Sequence, residues 1–552
     1  MPAPGLEWRP YRLPAARRDD DVLDDAPAEA ADDLIVELPE LQAWPFPSDK
    51  AEILLQSAAE VEHALMVQYL YAVYSLKAGD EVADQAQFAA LDETAADSWP
   101  RVLLGIAREE MGHLMTVQNL LAGVGLPPNL EREDFPPRKE LYPFALHLEP
   151  LSRHSLAKYI AAEAPADAEG IDDILALAKA SAGSVINRVG VLYGLLGLVF
   201  TREEDVAAGS SGSEAWDAHI RELSHAAYQQ APPVDWHLPD EAFVPSSLDQ
   251  QADPDDWGGV RIHRIATRAD AVGAIRDVAE QGEGPTGAPE HSHFERLLSM
   301  CRGGMGMAPF PSEGEWVATR DIPTDPSPGS VADPRTRAWA ELADVRYALL
   351  LGFVGHYLLT SIGERRLFVG WIFSEMRSRL AVIARQLTAM PTGAGASPTL
   401  AAAPFTLPTV LALPAAEASR WDVHRTRLMA SIRIVEELQS ASDSDASDSF
   451  LSDLAASDRA RLAYVEVRAR PAELPVSFVR DICPLFRPVD IAHMRDLSFD
   501  LSSYQRVRDN VDDIIEHLEI TGPQRMPPSP DQPWSAAQIE LVRTWMRQGF
   551  PP

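Results

Sequence analysis

The chain's 552 residues, 46% hydrophobic and 24% charged, can bury large cores and are enough for about three domains. With 83 Asp and Glu against 48 Lys and Arg the formal charge is −35, which repels phosphate backbones and anionic bilayers, so neither nucleic acid nor a membrane is an expected partner. Two cysteines, Cys301 and Cys483, exclude a disulfide framework and a thiolate zinc site, and no C-x-x-C-H stretch offers covalent haem attachment.

Residues 1–46 form an N-terminal extension with Arg17, Arg18 and a run of aspartates but no apolar core of a secretory signal, which predicts a cytoplasmic protein. A helical block, 47–305, follows. Its first helix is predicted over Ser48 to Lys77, where Leu54, Ala58, Glu62, Leu65, Tyr69, Ala72 and Leu76 share one face, placing a carboxylate inside an apolar stripe. Ser98 and Pro100 start a second helix whose stripe runs Leu103, Ile106, Glu110, Leu114, Val117 and Leu121. A short helix is expected around Leu156 to Glu163 and a longer one from Asp172 to Phe200. The apolar run that ends it, Val189 to Phe200, is too short for a bilayer, which needs about 20 residues.

Residues 201–260 mix Gly, Ser, Pro and acids and read as irregular. Helical pattern returns at Asp270 to Ala279 and Glu290 to Met300, separated by the glycine-rich Gln281-Gly-Glu-Gly-Pro-Thr-Gly. A Gly/Pro/Asp-rich linker is expected over 306–335, a second helical block over 336–440, and an acidic Ser/Asp-rich solvated linker over 441–474. Residues 475–552 read as a small helical module.

The pattern Glu-x-x-His places two metal-competent side chains one helical turn apart. Chance supplies roughly one such pair at this composition; the chain has them at Glu60/His63, Glu110/His113, Glu222/His225 and Glu290/His293. Glu110 lies on the inward stripe of its helix and Glu62 on that of the preceding one. Buried carboxylates are costly unless paired or metal-bound, which favours a ligand role over a surface ion pair for Glu110 and His113. Other readings stay open: Glu62 as a hydrogen-bond acceptor for Tyr69 or Arg108, Glu290 and His293 as a solvated helix start, Glu283 as an ordinary loop acid. The pairs Glu60/His63 and Glu222/His225 read as surface pairs.

Leu55-Gln-x-Ala-x-Glu-x-Glu62, Tyr69-Leu-x-Ala-x-Tyr-Ser75, Glu109-Glu-x-x-His113 with Asn119-Leu-Leu, and Gln281-Gly-Glu-Gly284 before Ser292-His293-Phe294 resemble the ferritin-like domain of the iminophenyl-pyruvate dimer synthase group, which includes the violacein and rebeccamycin pathway enzymes. The resemblance covers about residues 48–300. It implies a mainly α protein: a ferritin-like four-helix bundle with an additional helical block. It also implies Glu62, Glu110, His113, Glu290 and His293 as metal ligands, with Glu283 as the bridging candidate. The chain departs from it at Val189-Gly-Val-Leu-Tyr193, where Val191 stands in place of a third-helix carboxylate, and Glu163 is the candidate replacement. The terminal module resembles a cytochrome-c-like domain in layout, through Phe478-Val-x-Asp-Ile-Cys-Pro-Leu-Phe486, Arg525-Met-Pro-Pro528 and Trp545, but without the attaching cysteines no c-type haem is expected.

Oxygen-rich ligands with imidazole suit non-haem iron, mononuclear or dinuclear, with manganese as the alternative. The expected function is a metal-dependent oxidoreductase of specialised metabolism acting on a small, amino-acid-derived substrate, with oxidative coupling of imines as the implied reaction and an oxidase as a candidate partner. The competing reading is a non-catalytic metal-binding, storage or assembly protein.

Overall fold

The computed structural model describes residues 44–550 apart from 133–140, 166–167, 183–185, 210, 284–290, 313–314, 362, 364, 394–398, 409–410, 441–446, 470–475, 521–524 and 528–532. The described residues are organised as helices and connecting segments, with no named strand among them. Eight longer helices build the first block: α1 Pro47–Ser75, α2 Trp99–Gly123, α3 Arg153–Ala162, α4 Asp172–Ala182, α5 Val189–Phe200, α6 Glu214–Gln230, α7 Arg268–Glu283 and α8 His293–Arg302.

Apolar faces decide how they assemble. The expected stripes of α1 and α2 are buried, and the two helices lie along one another; α7 and α5 close the bundle, α5 packing on both α7 and α1. Pro at the start of α1 and α2 costs nothing because a first-turn N–H has no helical partner. All twelve residues of α5 are buried, as its uniformly apolar sequence requires. Gly194 lets α6 approach it, since a Cβ there would stand 2.4 Å from a methyl of Leu223.

Two sequence expectations change here. The helix read over Asp172 to Phe200 is two helices, α4 and α5; before α5, Arg188 is extended and Asn187 is tied to the backbone of Pro143 and Tyr142. The segment 201–260 is not wholly irregular. It carries α6, whose Trp216, Ile220, Leu223 and Ala227 share a buried stripe at helical spacing amid a polar composition.

The second block uses Pro334–Leu358, then Arg366–Ser374 running through a π-helical turn, Glu375–Leu380, into Ala381–Leu387, with Glu417–Ser440 and Ser447–Arg468. Its centre is ionic. Arg346 places Nε 2.7 Å from Oε2 of Glu375 and Nη1 2.6 Å from Oδ2 of Asp458 and 3.1 Å from the Ser431 hydroxyl. Arg379 and Arg461 also donate to Glu375. Although burial raises it, these three arginines hold the Glu375 carboxyl below its usual range. The linker expected over 441–474 is therefore corrected from residue 447 on: its helix buries Leu451, Leu454, Ala455, Asp458 and Val465, an inward stripe hidden in a composition dominated by Ser and Asp. The described residues of 306–335, read as a linker, carry little regular secondary structure but bury Met307, Phe310, Ala318, Ile322 and Val331.

The chain divides into two compact units, Met1–Pro414 with Val423–Ala463, and Ala415–Asp422 with Tyr464–Pro552. The second has its own core, in which Phe478, Ile482, Val511, Val542 and Trp545 are buried together. No described helix is long and apolar enough to cross a membrane.

Candidate metal centre

The bundle interior gathers five metal-competent side chains. Glu62 comes from the middle of α1, Glu110 and His113 from adjacent turns of α2, Glu163 from the residue that caps α3, and His293 from the first position of α8. None is more than 4% exposed. Ser292 fixes the last of these: its hydroxyl accepts from the Glu295 N–H, starting α8 with the His293 side chain already inside.

Two triads result, Glu62–Glu110–His113 and Glu110–Glu163–His293, in each of which one ligand-type atom per residue lies within 4.8 Å of the others. Glu110 is common to both. Its Oε2 lies 2.8 Å from Nδ1 of His113 and its Oε1 3.1 Å from Nδ1 of His293. Glu62 Oε2 is 3.3 Å from the same His113 nitrogen, and Glu163 Oε1 is 3.7 Å from that of His293.

The far ring nitrogens are held from outside. Nε2 of His113 lies 3.1 Å from Oε1 of Gln281 on α7, and Nε2 of His293 lies 3.0 Å from Oε2 of Glu109, which also pairs with Arg296. Each imidazole therefore turns Nδ1 toward the carboxylates. Tyr193 donates to Oε1 of Glu62, and Tyr69 donates to Oε1 of Glu163 at 2.8 Å. Gly282 leaves space on the other side of Glu163, because a Cβ there would stand 2.8 Å from Oε2.

Electrostatics follow from burial and crowding. Burial and the neighbouring Glu110 charge raise the Glu62 carboxyl, whereas Glu110, which burial alone would raise, is held well below its usual range by His293 and His113. Burial disfavours the cationic imidazoles, but Glu110 and Glu62 lift His113 to about 10, and Glu110 and Glu109 lift His293 well above its ordinary value. His293 and Arg296 overcome burial to bring Glu109 down to about 2.

These residues fit a metal. Glu62 Oε2, Glu110 Oε1 and His293 Nδ1 are buried and, despite these close approaches, make no aligned hydrogen bond, an arrangement native interiors avoid unless something else satisfies the atoms. Beside them lies a cavity of about 10 Å³ lined by Glu62, Glu110, His113 and Glu163 together with Leu65, Val189, Tyr193, Val278 and Ala279. That is room for roughly one water or an ion.

Of the sequence-derived candidates, Glu62, Glu110, His113, Glu163 and His293 converge. Glu290 and the side chain of Glu283 lie outside the described residues. Glu60 and His63 are not a surface pair: His63 is fully buried with Nε2 2.5 Å from the Tyr347 hydroxyl, and Glu60 accepts from Asn129 and Tyr142. Glu222 and His225 are exposed as read. Sequence reasoning missed Glu109, Gln281 and Tyr193 as supports; the doubled acid before Met-Gly-His113 is the one available signal.

Residues 55–302 match the ferritin-like family model. These residues are a ferritin-like domain. The chain is 29% identical over 343 residues to a 2-imino-3-(indol-3-yl)propanoate dimerase of Chromobacterium violaceum, a match covering 56% of this chain and 29% of that protein. A dichlorochromopyrrolate synthase of Lentzea aerocolonigenes is 33% identical over 125 residues, 20% of this chain and 12% of the relative. The chain thus spans under a third of the length of the curated relatives it matches. A crystal structure of a ferritin-like protein from Caulobacter vibrioides superposes with a TM-score of 0.34 at 16% identity, covering 61% of this chain and 94% of that one.

Proposed function

We propose that this protein is a metal-dependent oxidoreductase of specialised metabolism that oxidatively couples amino-acid-derived imines, using two metal ions held by its ferritin-like domain. The observation that carries the reading is the position of Glu110, shared between two buried ligand triads. Glu62 and His113 would complete one position and Glu163 and His293 the other. Three carboxylates and two imidazoles form a donor set suited to non-haem iron, with manganese next. The similarity to a dimerase named for an indolyl imine supplies the substrate class.

Joining two such molecules through a carbon–carbon bond removes two electrons and two protons, so an oxidant such as dioxygen or a peroxide takes part. When bound, the metals would supply redox capacity and Lewis acidity. The chain's own residues prepare the site. Gln281 and Glu109 fix both rings so that Nδ1 faces inward, Tyr193 and Tyr69 orient Glu62 and Glu163, and Leu65, Val278 and Ala279 limit water. The imine itself would come from an amino-acid oxidase acting beforehand.

The test is elemental analysis of protein purified without chelators, followed by oxygen-electrode measurements with an imine generated in situ from an aromatic amino acid. About two ions per chain and metal-dependent oxygen uptake with formation of a dimeric product are expected. Loading of many irons per chain with no imine-dependent uptake would instead indicate storage.

A further inference from the structure

The metal cavity is far too small for an aromatic imino acid, so the organic substrate must dock elsewhere. A second cavity of about 290 Å³ is bounded by Phe144, Ala145, His147, Glu149, Lys158 and Asp325. That is close to the lower end of the roughly 300–1,000 Å³ typical of small-molecule sites.

Its walls carry a lysine–carboxylate ion pair and a histidine–carboxylate contact. The Lys158 side chain is 3% exposed, and its Nζ lies 2.7 Å from Oε2 of Glu149 and 5.5 Å from the centre of the Phe144 ring. Lysine is seldom buried this deeply without a specific partner. Glu149 takes one of its three N–H groups. Across the cavity lining, Nδ1 of His147 lies 2.7 Å from Oδ2 of Asp325, whose Oδ1 accepts from the Leu148 N–H. Asp325 holds a left-handed backbone, φ 47°, a cost that marks it as fixed in place.

Two chains of contact lead from the cavity to the metal centre. Phe144 also lines a small apolar cavity with Ala64 and Leu65, and Leu65 lines the metal cavity itself. The Tyr159 ring stands 6.4 Å from that of Phe144 and 5.0 Å from that of Tyr69, which donates to Glu163.

We infer that this charged cavity is the docking site of an aromatic α-amino or α-imino acid, with the ligand's carboxylate on Lys158, its nitrogen on Glu149 and Asp325, and its ring against Phe144. Lys158 has N–H groups beyond the one Glu149 takes, and Glu149 and Asp325 carry further acceptor lone pairs, so a ligand with both a carboxylate and a nitrogen meets each of them, whereas a simple anion faces two carboxylates and an uncharged ring engages none of the three. The choice of an aromatic ligand rests on the proposed coupling of imines; the charge pairing does not.

Isothermal titration of the full-length protein with L-tryptophan, tryptamine and indole-3-propionate tests this, since L-tryptophan is a stable stand-in for the imine. L-Tryptophan should bind, and each analogue lacking one charged group should bind at least about tenfold more weakly. Lys158→Met should weaken L-tryptophan binding by about tenfold or more with metal content and circular dichroism unchanged. If that variant does not fold, Ala145→Trp decides, because it fills the cavity while leaving Lys158, Glu149, His147 and Asp325 in place. Equal affinity of the Ala145→Trp and wild-type proteins for L-tryptophan, or equal affinity for tryptamine and L-tryptophan, would overturn the site. Charge-dependent binding in a protein that takes up no metal would uphold this site and remove the coupling reading. Metal-dependent coupling with no cavity-dependent binding would uphold that reading and remove this site.

Discussion

Glu110 Oε1 stands 3.1 Å from Nδ1 of His293, joining a carboxylate of α2 to an imidazole encoded at the far end of the domain. Because the other oxygen of Glu110 faces His113, removing this one side chain opens both triads. Glu110→Ala should abolish metal binding at both positions, while His293→Ala should retain about one ion per chain through Glu62, Glu110 and His113. Elemental analysis of the two variants checks the difference. Without metal, Glu110→Ala should also lower the melting temperature, because it takes one carboxylate from each of two buried imidazoles and leaves His113 to Glu62 and His293 to Glu109 and Glu163.

Glu109 orients His293 from outside the cluster and should matter nearly as much as a ligand. Glu109→Ala removes the acceptor of the Nε2 proton and is expected to lower metal affinity by about 10–100-fold while leaving the helices intact. Chelator competition on the variant measures it; an unchanged affinity would show that α8 alone fixes the ring.

Gly282→Ala is expected to separate folding from metal binding. The new methyl would meet only the tip of Glu163, a flexible side chain, and alanine is the better helix former, so thermal stability should hold or rise. Glu163 would be pushed from His293, and occupancy of the second metal position should fall. Equal metal content in variant and wild type would place Glu163 outside the ligand set.

The bundle stripes were readable because the periods of α1 and α2 each carried one acid at an inward position, Glu62 and Glu110, and burial left such acids few alternatives. Glu163 was harder. It caps a short helix just before Pro165, so no periodicity marks it, and its one pointer is Val191, which stands where a third-helix carboxylate would be expected. The helix Ser447–Arg468 escaped because composition averages over faces: Leu451, Leu454, Asp458 and Val465 form a stripe within a Ser/Asp-rich segment. Asp458 reads as a solvated acid until Arg346 is placed beside it. Supports such as Tyr347 on His63 need the three-dimensional path of the chain.

Acid should weaken the second block. His424 is fully buried 2.9 Å from His356, and burial, with the nearby His356 and Arg427 charges, holds its imidazole well below the ordinary value. The unfolded chain takes up a proton at about pH 6.5 that the folded chain refuses. This contribution is therefore complete above about pH 6.5 and is lost as pH falls below it, at up to about 1.4 kcal/mol per pH unit. Thermal melts between pH 7.5 and 5 should show a decline that His424→Phe flattens.

Truncation after Arg468 should leave metal binding intact, since every ligand candidate lies in the first unit and residues 476–550 bury their own core. A cut at Asp458 should be damaging instead, because it removes the partner of Arg346 and shortens a helix with a buried face. Metal content and melting temperature of the two truncations distinguish the cases.

Anomalous X-ray diffraction from iron-loaded crystals tests the two-metal centre most directly. Two peaks flanking the Glu110 carboxylate are expected, one bounded by Glu62 and His113 and the other by Glu163 and His293. A single peak, or density remote from Glu110, would contradict it.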